Sequence, residues 1–117
     1  MAQFIIPLGA VGAADVNPVG PKAANLAALA RAGLPTPGGF CLSAAAYRRQ
    51  MEELGLSDLV QACAAADPPR GRRLSVEIRL SLYERPIAPA IWEPLLAAWR
   101  AQHQASGMPG AVRSSAL

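Results

Sequence analysis

The chain has 117 residues, of which 52% are hydrophobic and 16% charged, with a formal net charge of +3. That length suits one domain with a single core, and the apolar content excludes an intrinsically disordered chain. No apolar run approaches the ~20 residues of a membrane span, and the start Met-Ala-Gln-Phe-Ile-Ile-Pro is no signal peptide, so the expected location is cytoplasmic.

Abundant alanine and few aromatics favour packed helices over a sheet-dominated fold. Phe4-Ile5-Ile6-Pro7-Leu8 is short, β-branched and stopped by proline, which predicts an edge strand. The glycines and prolines between Gly9 and Pro21 predict a loop. Its Gly9-Ala10-Val11-Gly12 portion lacks the spacing of a dinucleotide fingerprint.

A first helix is predicted over 21–32, opened by Pro21 and carrying Leu26, Leu29 and Ala30 on its apolar face. Gly33 and Leu34 provide its terminal glycine and hydrophobic contact. The stiff turn 35–39 delivers a buried strand, Phe40-Cys41-Leu42. Ser43 is read as the cap of a second helix with Tyr47, Met51 and Leu54, ended by Gly55. Ser57 is read as the cap of a third, with Leu59, Val60 and Cys63 inward, halted at Asp67-Pro68-Pro69. A fourth covers about 71–84 with a stripe of Leu74, Ile78 and Leu82. Pro89 starts a fifth, whose Ile91, Trp92, Leu95, Leu96 and Trp99 are assigned to the core; Pro94 falls in its first turns, where a missing N–H costs little. After the turn 107–110, Ala111–Ala116 reads as a third strand. That strand is unfinished at Leu117, so the chain is expected to be the front portion of something larger, truncated at its C-terminal end.

Ten of the eleven basic residues are arginines. The densest group, Arg70-Gly71-Arg72-Arg73, has Asp67, Glu77 and Glu84 nearby and no interleaved aromatics, so a solvated helix start is preferred to a nucleic-acid surface. Cys41 and Cys63 lack metal-ligand spacing, and the single His103 completes no zinc site with them. They read as small apolar residues in a reducing compartment, with a disulfide left open.

The only lysine, Lys22, lies in the first turn of the first predicted helix, directly after Gly20-Pro21. A cation there opposes the helix dipole by roughly 0.3–1 kcal/mol unless an anion occupies the site. Glycine lets backbone approach such an anion and the ammonium adds a point charge; phosphate fits, and a solvated lysine is the competing reading. Far along the chain, Arg113-Ser114-Ser115 offers a planar fork of donors and two hydroxyls. A surface salt bridge is the competing role for Arg113.

The order of these pieces resembles the N-terminal nucleotide-binding domain of phosphoenolpyruvate synthase, pyruvate phosphate dikinase and rifampicin phosphotransferase. The matching stretches are Val19-Gly20-Pro21-Lys22-Ala23-Ala24-Asn25-Leu26, Gly33-Leu34-Pro35-Thr36-Pro37-Gly38-Gly39-Phe40-Cys41-Leu42, Ala46-Tyr47 and Ala111-Val112-Arg113-Ser114-Ser115-Ala116. The resemblance implies a helix-rich α+β first subdomain of an ATP-grasp fold over residues 1–117, with about five helices and three short strands. It implies that Lys22 and Arg113 contact ATP phosphates, with no catalytic residue or metal ligand in this stretch. Mg²⁺ ligands are expected outside this chain, on a second grasp subdomain. A phosphohistidine domain would carry the phosphoryl group to pyruvate or to an antibiotic hydroxyl. The family usually has a second glycine where Pro21 stands, which removes one backbone N–H from the site. His103 lacks the phosphohistidine context and reads as an exposed residue near a helix C-terminus.

The expected function is therefore the ATP-binding portion of a phosphotransferase, inactive alone because phosphoryl transfer needs charge and metal on both sides of the phosphates. A non-catalytic short paralogue that binds nucleotide or a partner is the alternative, and a purely structural helical domain the third. Neither nucleic acid nor membrane is expected as a partner.

Overall fold

A computed structural model describes residues 4–9, 16–36 and 38–115. In chain order its elements are β1 (Ile5–Pro7), α1 (Val16–Arg31), β2 (Phe40–Leu42), α2 (Ala44–Glu53), α3 (Ser57–Ala65), α4 (Pro68–Glu84) and α5 (Pro89–Ser106). This is the helix-rich α+β architecture expected. Backbone contacts divide it into two units: Met1–Ala46 with Ala90–Leu117, and Tyr47–Pro89.

In the first unit β1 and β2 pair antiparallel, with Ile5 opposite Leu42, Ile6 opposite Cys41 and Pro7 opposite Phe40. The pairing runs on through Leu8 N–H to Gly39 C=O (3.0 Å) and Ser43 N–H to Phe4 C=O (2.8 Å). Onto this two-stranded sheet α1, which connects its strands, packs a face of Val19, Ala23, Ala24 and Ala27, met by Ile6, Leu8 and Cys41. That differs from the predicted face. Leu29 is 44% exposed and Ala30 also lies outside, while Ala27 is 1% exposed. Small alanines let the helix backbone approach the strands closely, and the same approach leaves little room for leucines. The end of α1 behaves as expected: Gly33 N–H reaches Ala30 C=O (3.1 Å) and Leu34 N–H reaches Leu29 C=O (3.2 Å), the paired bonds of a Schellman ending.

Three further expectations are corrected in this unit. Val16–Val19 form a helical turn ahead of a break at Gly20, where a loop is predicted; residues 10–15 of that predicted loop lie outside the described residues. The sheet has two strands rather than three among the described residues, and 111–115 form no strand. A β-like composition gives a strand only where a neighbouring edge is available, and here the segment bonds to α1 instead. Finally, Trp92 and Trp99 are 41% and 40% exposed, so the deepest residue of the α5 stripe is Ile91 at 2%.

In the second unit, a second Schellman ending turns the chain out of α2. Leu56 N–H bonds Met51 C=O (2.9 Å) and Gly55 N–H bonds Glu52 C=O (3.0 Å). This turn drives Leu56 into a cluster with Met51 and Leu54, lined by Leu59, Val60, Ile78 and Leu82. Burial of Leu56 also explains why Ser57 is not a cap. Leu56 takes the N-cap position of α3, with no side-chain capping bond. Arg85 donates from Nη1 to Leu54 C=O (3.0 Å). Gln50 holds the connector to α5 at two points, donating from Nε2 to Pro86 C=O (3.0 Å) and accepting at Oε1 from Ala88 N–H (2.9 Å).

Helix α4 starts three residues before the predicted Gly71. Asp67 is its N-cap, with extended backbone and a carboxylate that accepts from Arg70 N–H (3.2 Å), and prolines fill the next two positions. Asp-Pro is a start signal because the cap satisfies a free amide and proline has none to satisfy. Asp67→Ala is expected to lower stability by about 1 kcal/mol in urea unfolding, while Asp67→Ser stays within a few tenths.

Candidate functional site

The start of α1 is built around a glycine. Gly20 has φ 79° and ψ 166°, a backbone region open essentially to glycine alone. Pro21 follows as the first residue of the straight part of the helix, where a fixed φ and missing N–H are tolerated. A side chain at Gly20 would also have no room: a Cβ there would lie 2.6 Å from Ser115 Oγ.

Ser115 has come from the far end of the chain. Its hydroxyl accepts a hydrogen bond from Ala23 N–H (3.3 Å), a contact spanning 92 residues. Ala23 is the third residue of the helix begun at Pro21, the position whose amide an N-cap side chain normally satisfies. Gly20 has no side chain for this, and Ser115 performs it. Of the first three residues of this helix, Pro21 has no N–H and Ala23 is engaged by Ser115. The hydroxyl expected to complete an anion contact caps the helix instead.

The segment leading to Ser115 is fixed a second time. Gly110 lies against the Trp99 indole so closely that a Cβ on it would fall 2.6 Å from a ring carbon. This contact is the role of the half-exposed Trp99. Upstream, Ser106 Oγ accepts from Met108 N–H (3.2 Å), and His103 Nδ1 lies 3.4 Å from Met108 C=O near the end of α5. His103 is exposed, as expected.

Arg113 therefore lies between two anchors, Gly110 on Trp99 and Ser115 on Gly20 and Ala23. Both Arg113 and Lys22 are exposed. Neither makes an ion pair or hydrogen bond to another described residue, and the ion pair seen is Arg49–Glu53 at 2.8 Å on α2. The salt-bridge role considered for Arg113 is thus absent among the described residues. Lys22 lies in the first turn of the helix begun at Pro21, at its positive end, and Arg113 is two residues from the serine that bonds Ala23. Ala23 and Trp99 are not marked by the sequence, whereas Gly20, read as letting backbone approach an anion, makes room for Ser115. A helix opening with Gly-Pro lacks a side-chain cap, and that gap was the available signal for the long-range serine.

Elsewhere the chemistry is sparse. Burial pushes the Cys41 thiol above its ordinary value, which leaves it a poor nucleophile. Cys63 donates to Gly71 C=O (3.4 Å), and both cysteines are free thiols. Among the described residues no group of three or more His, Cys, Asp or Glu side chains could hold a metal ion, and no helix is long and apolar enough to cross a membrane. On α4, Val76, Arg79, Leu80 and Tyr83 line a shallow surface groove.

Residues 16–117 match the family described as "Pyruvate phosphate dikinase, AMP/ATP-binding domain". The chain is 34% identical over 123 residues to a probable phosphoenolpyruvate synthase of Staphylothermus marinus, covering 97% of this chain and 15% of that protein. It is 40% identical over 70 residues to the phosphoenolpyruvate synthase of Pseudomonas aeruginosa, covering 56% and 9%. It is 29% identical over 123 residues to a probable phosphoenolpyruvate synthase of Methanothermobacter thermautotrophicus, covering 99% and 18%. The chain thus spans less than a fifth of the length of each of these curated relatives.

Proposed function

This chain belongs to the pyruvate phosphate dikinase AMP/ATP-binding domain family, and from that membership we propose that it binds the phosphates of ATP through Lys22 and Arg113. In this reading it is the first part of an ATP-grasp nucleotide-binding unit in a cytoplasmic phosphotransferase. The observation that carries the proposal is the bond from Ala23 N–H to Ser115 Oγ, which brings the segment bearing Arg113 against the residues flanking Lys22. Each residue has a distinct part. Arg113 offers two parallel N–H groups to a pair of phosphate oxygens, and Lys22 offers a point charge at the positive end of α1.

The donors here are cations, an amide and hydroxyls, whereas Mg²⁺ calls for carboxylate or carbonyl oxygens. They suit phosphate oxygens and do not suit the metal, so no metal step is assigned to these residues. A second grasp subdomain and a phosphohistidine domain are its proposed partners in the longer enzyme. The names of the three relatives favour phosphoenolpyruvate formation, with pyruvate as acceptor, over modification of an antibiotic hydroxyl.

Isothermal titration with Mg-ATP tests the reading. The 117-residue chain should bind. Arg113→Ala and Lys22→Ala should each weaken binding about tenfold or more, since a charge-assisted hydrogen bond contributes roughly 1.5–3 kcal/mol. Identical heats for parent and variants would remove the phosphate site. Phosphate release should stay at the buffer rate, because one side of the clamp leaves the transferring group unneutralised. Turnover that disappears in Lys22→Ala would contradict this.

A further inference from the structure

We infer that Ser115 is a positioning residue for this site: its hydroxyl latches the segment carrying Arg113 to the start of α1, and phosphate affinity depends on that latch. The inference rests on the phosphate-binding reading above and adds to it a residue that acts through another.

Four observations meet here. The helix begun at Pro21 has no capping side chain of its own, because the residue before it is Gly20. Its third amide, Ala23 N–H, is satisfied by Ser115 Oγ at 3.3 Å from 92 residues away. The approach works only with glycine at position 20, where a Cβ would be 2.6 Å from that same oxygen. The other end of the segment is held where Gly110 lies under the Trp99 ring. Arg113 is exposed between these anchors and bonds no described residue. Among the described residues its guanidinium has no partner, while its backbone is held at both ends. Holding the backbone reduces the freedom that must be lost when the fork closes on phosphate. A hydroxyl that caps a helix thereby becomes a determinant of binding two residues away.

The same contact allows an opposite outcome, which makes the inference testable. If a phosphate oxygen instead displaced Ser115 from Ala23 N–H, removing the hydroxyl would free a donor and strengthen binding. The experiment uses the 117-residue chain as parent, Ser115→Ala, Arg113→Ala and the double variant, with Mg-ATP as probe. Without nucleotide, amide exchange at Ala23 should speed up about tenfold in Ser115→Ala, because a lost cap costs on the order of one such factor. Mg-ATP affinity should fall roughly three- to tenfold in Ser115→Ala, the range expected of partial loss of preorganisation. In the Arg113→Ala background the same change should alter affinity less than about twofold, since residues that act through one another are non-additive.

Unchanged exchange at Ala23, unchanged or tighter binding by Ser115→Ala, or full additivity with Arg113→Ala each overturns the inference and leaves the phosphate site standing. Failure of the phosphate reading itself shows differently, as absence of heat in the parent chain, and the inference then falls with it.

Discussion

Gly20→Ala is expected to destabilise the chain by about 2–4 kcal/mol, because it combines a backbone penalty with a steric one. The backbone at φ 79°, ψ 166° costs a residue with a Cβ roughly 1–3 kcal/mol on its own. The added methyl would also meet Ser115 at its hydroxyl and main chain. Relief requires either rotating position 20, which alters the entry to α1, or expelling Ser115, which leaves Ala23 N–H without its acceptor. Either route loosens the segment that carries Arg113. Urea unfolding should report the loss of stability, and amide exchange at Ala23 should accelerate with it. A change below about 0.5 kcal/mol, the size of an ordinary surface substitution, would show that Gly20 is not required by its surroundings.

The second large effect belongs to the other unit. Met51→Ala should cost about 2–4 kcal/mol, the usual range for truncating a buried long side chain to alanine. Met51 is 4% exposed and shares its cluster with Leu54 and Leu56, walled by Leu59, Val60, Ile78 and Leu82. Three buried side chains form the centre of this small core, so little remains to collapse into the space. The Schellman bond to Met51 C=O is a backbone contact and survives the substitution. Lost stability should therefore appear as faster exchange along α3 and α4. Leu80→Ala, at a position 51% exposed on α4, serves as the control and should stay within about 0.5 kcal/mol. Equal effects at the two positions would contradict the assignment of the core.

Helices are the part of this fold that proline and glycine punctuation makes readable. Gly33, Gly55 and Pro89 mark element ends where the sequence puts them. One run can also punctuate two elements. Asp67-Pro68-Pro69 does follow the end of α3 at Ala65, yet the same run also starts α4, the carboxylate capping it and the prolines opening it. The buried face of α1 was missed for a different reason: leucine outranks alanine in any hydrophobicity count, whereas close helix–strand packing selects the smaller side chain. Ala111–Ala116 carries strand-like residues, but pairing depends on an available edge, which sequence does not reveal. Lys22 and Arg113 stand out in the sequence as candidate phosphate contacts because of the motifs around them. The contact that relates them does not: the missing cap at Gly20-Pro21 signals only that some group must satisfy the amide, and nothing local points to a serine 92 residues away. Trp99 shows the same limit: periodicity assigns it to the core, while its ring in fact supports Gly110.

The central claim is that Lys22 and the Arg113–Ser115 segment form one phosphate site. The most direct test is a titration of the isotope-labelled chain with Mg-ATP, followed by amide and guanidinium resonances in NMR spectra. The account predicts that signals of Lys22, Ala23 and residues 113–115 shift together and saturate with a single Kd, and that the shifts vanish in Arg113→Ala. Shifts confined to α3 and α4, or separate saturation at Lys22 and Arg113, would contradict it.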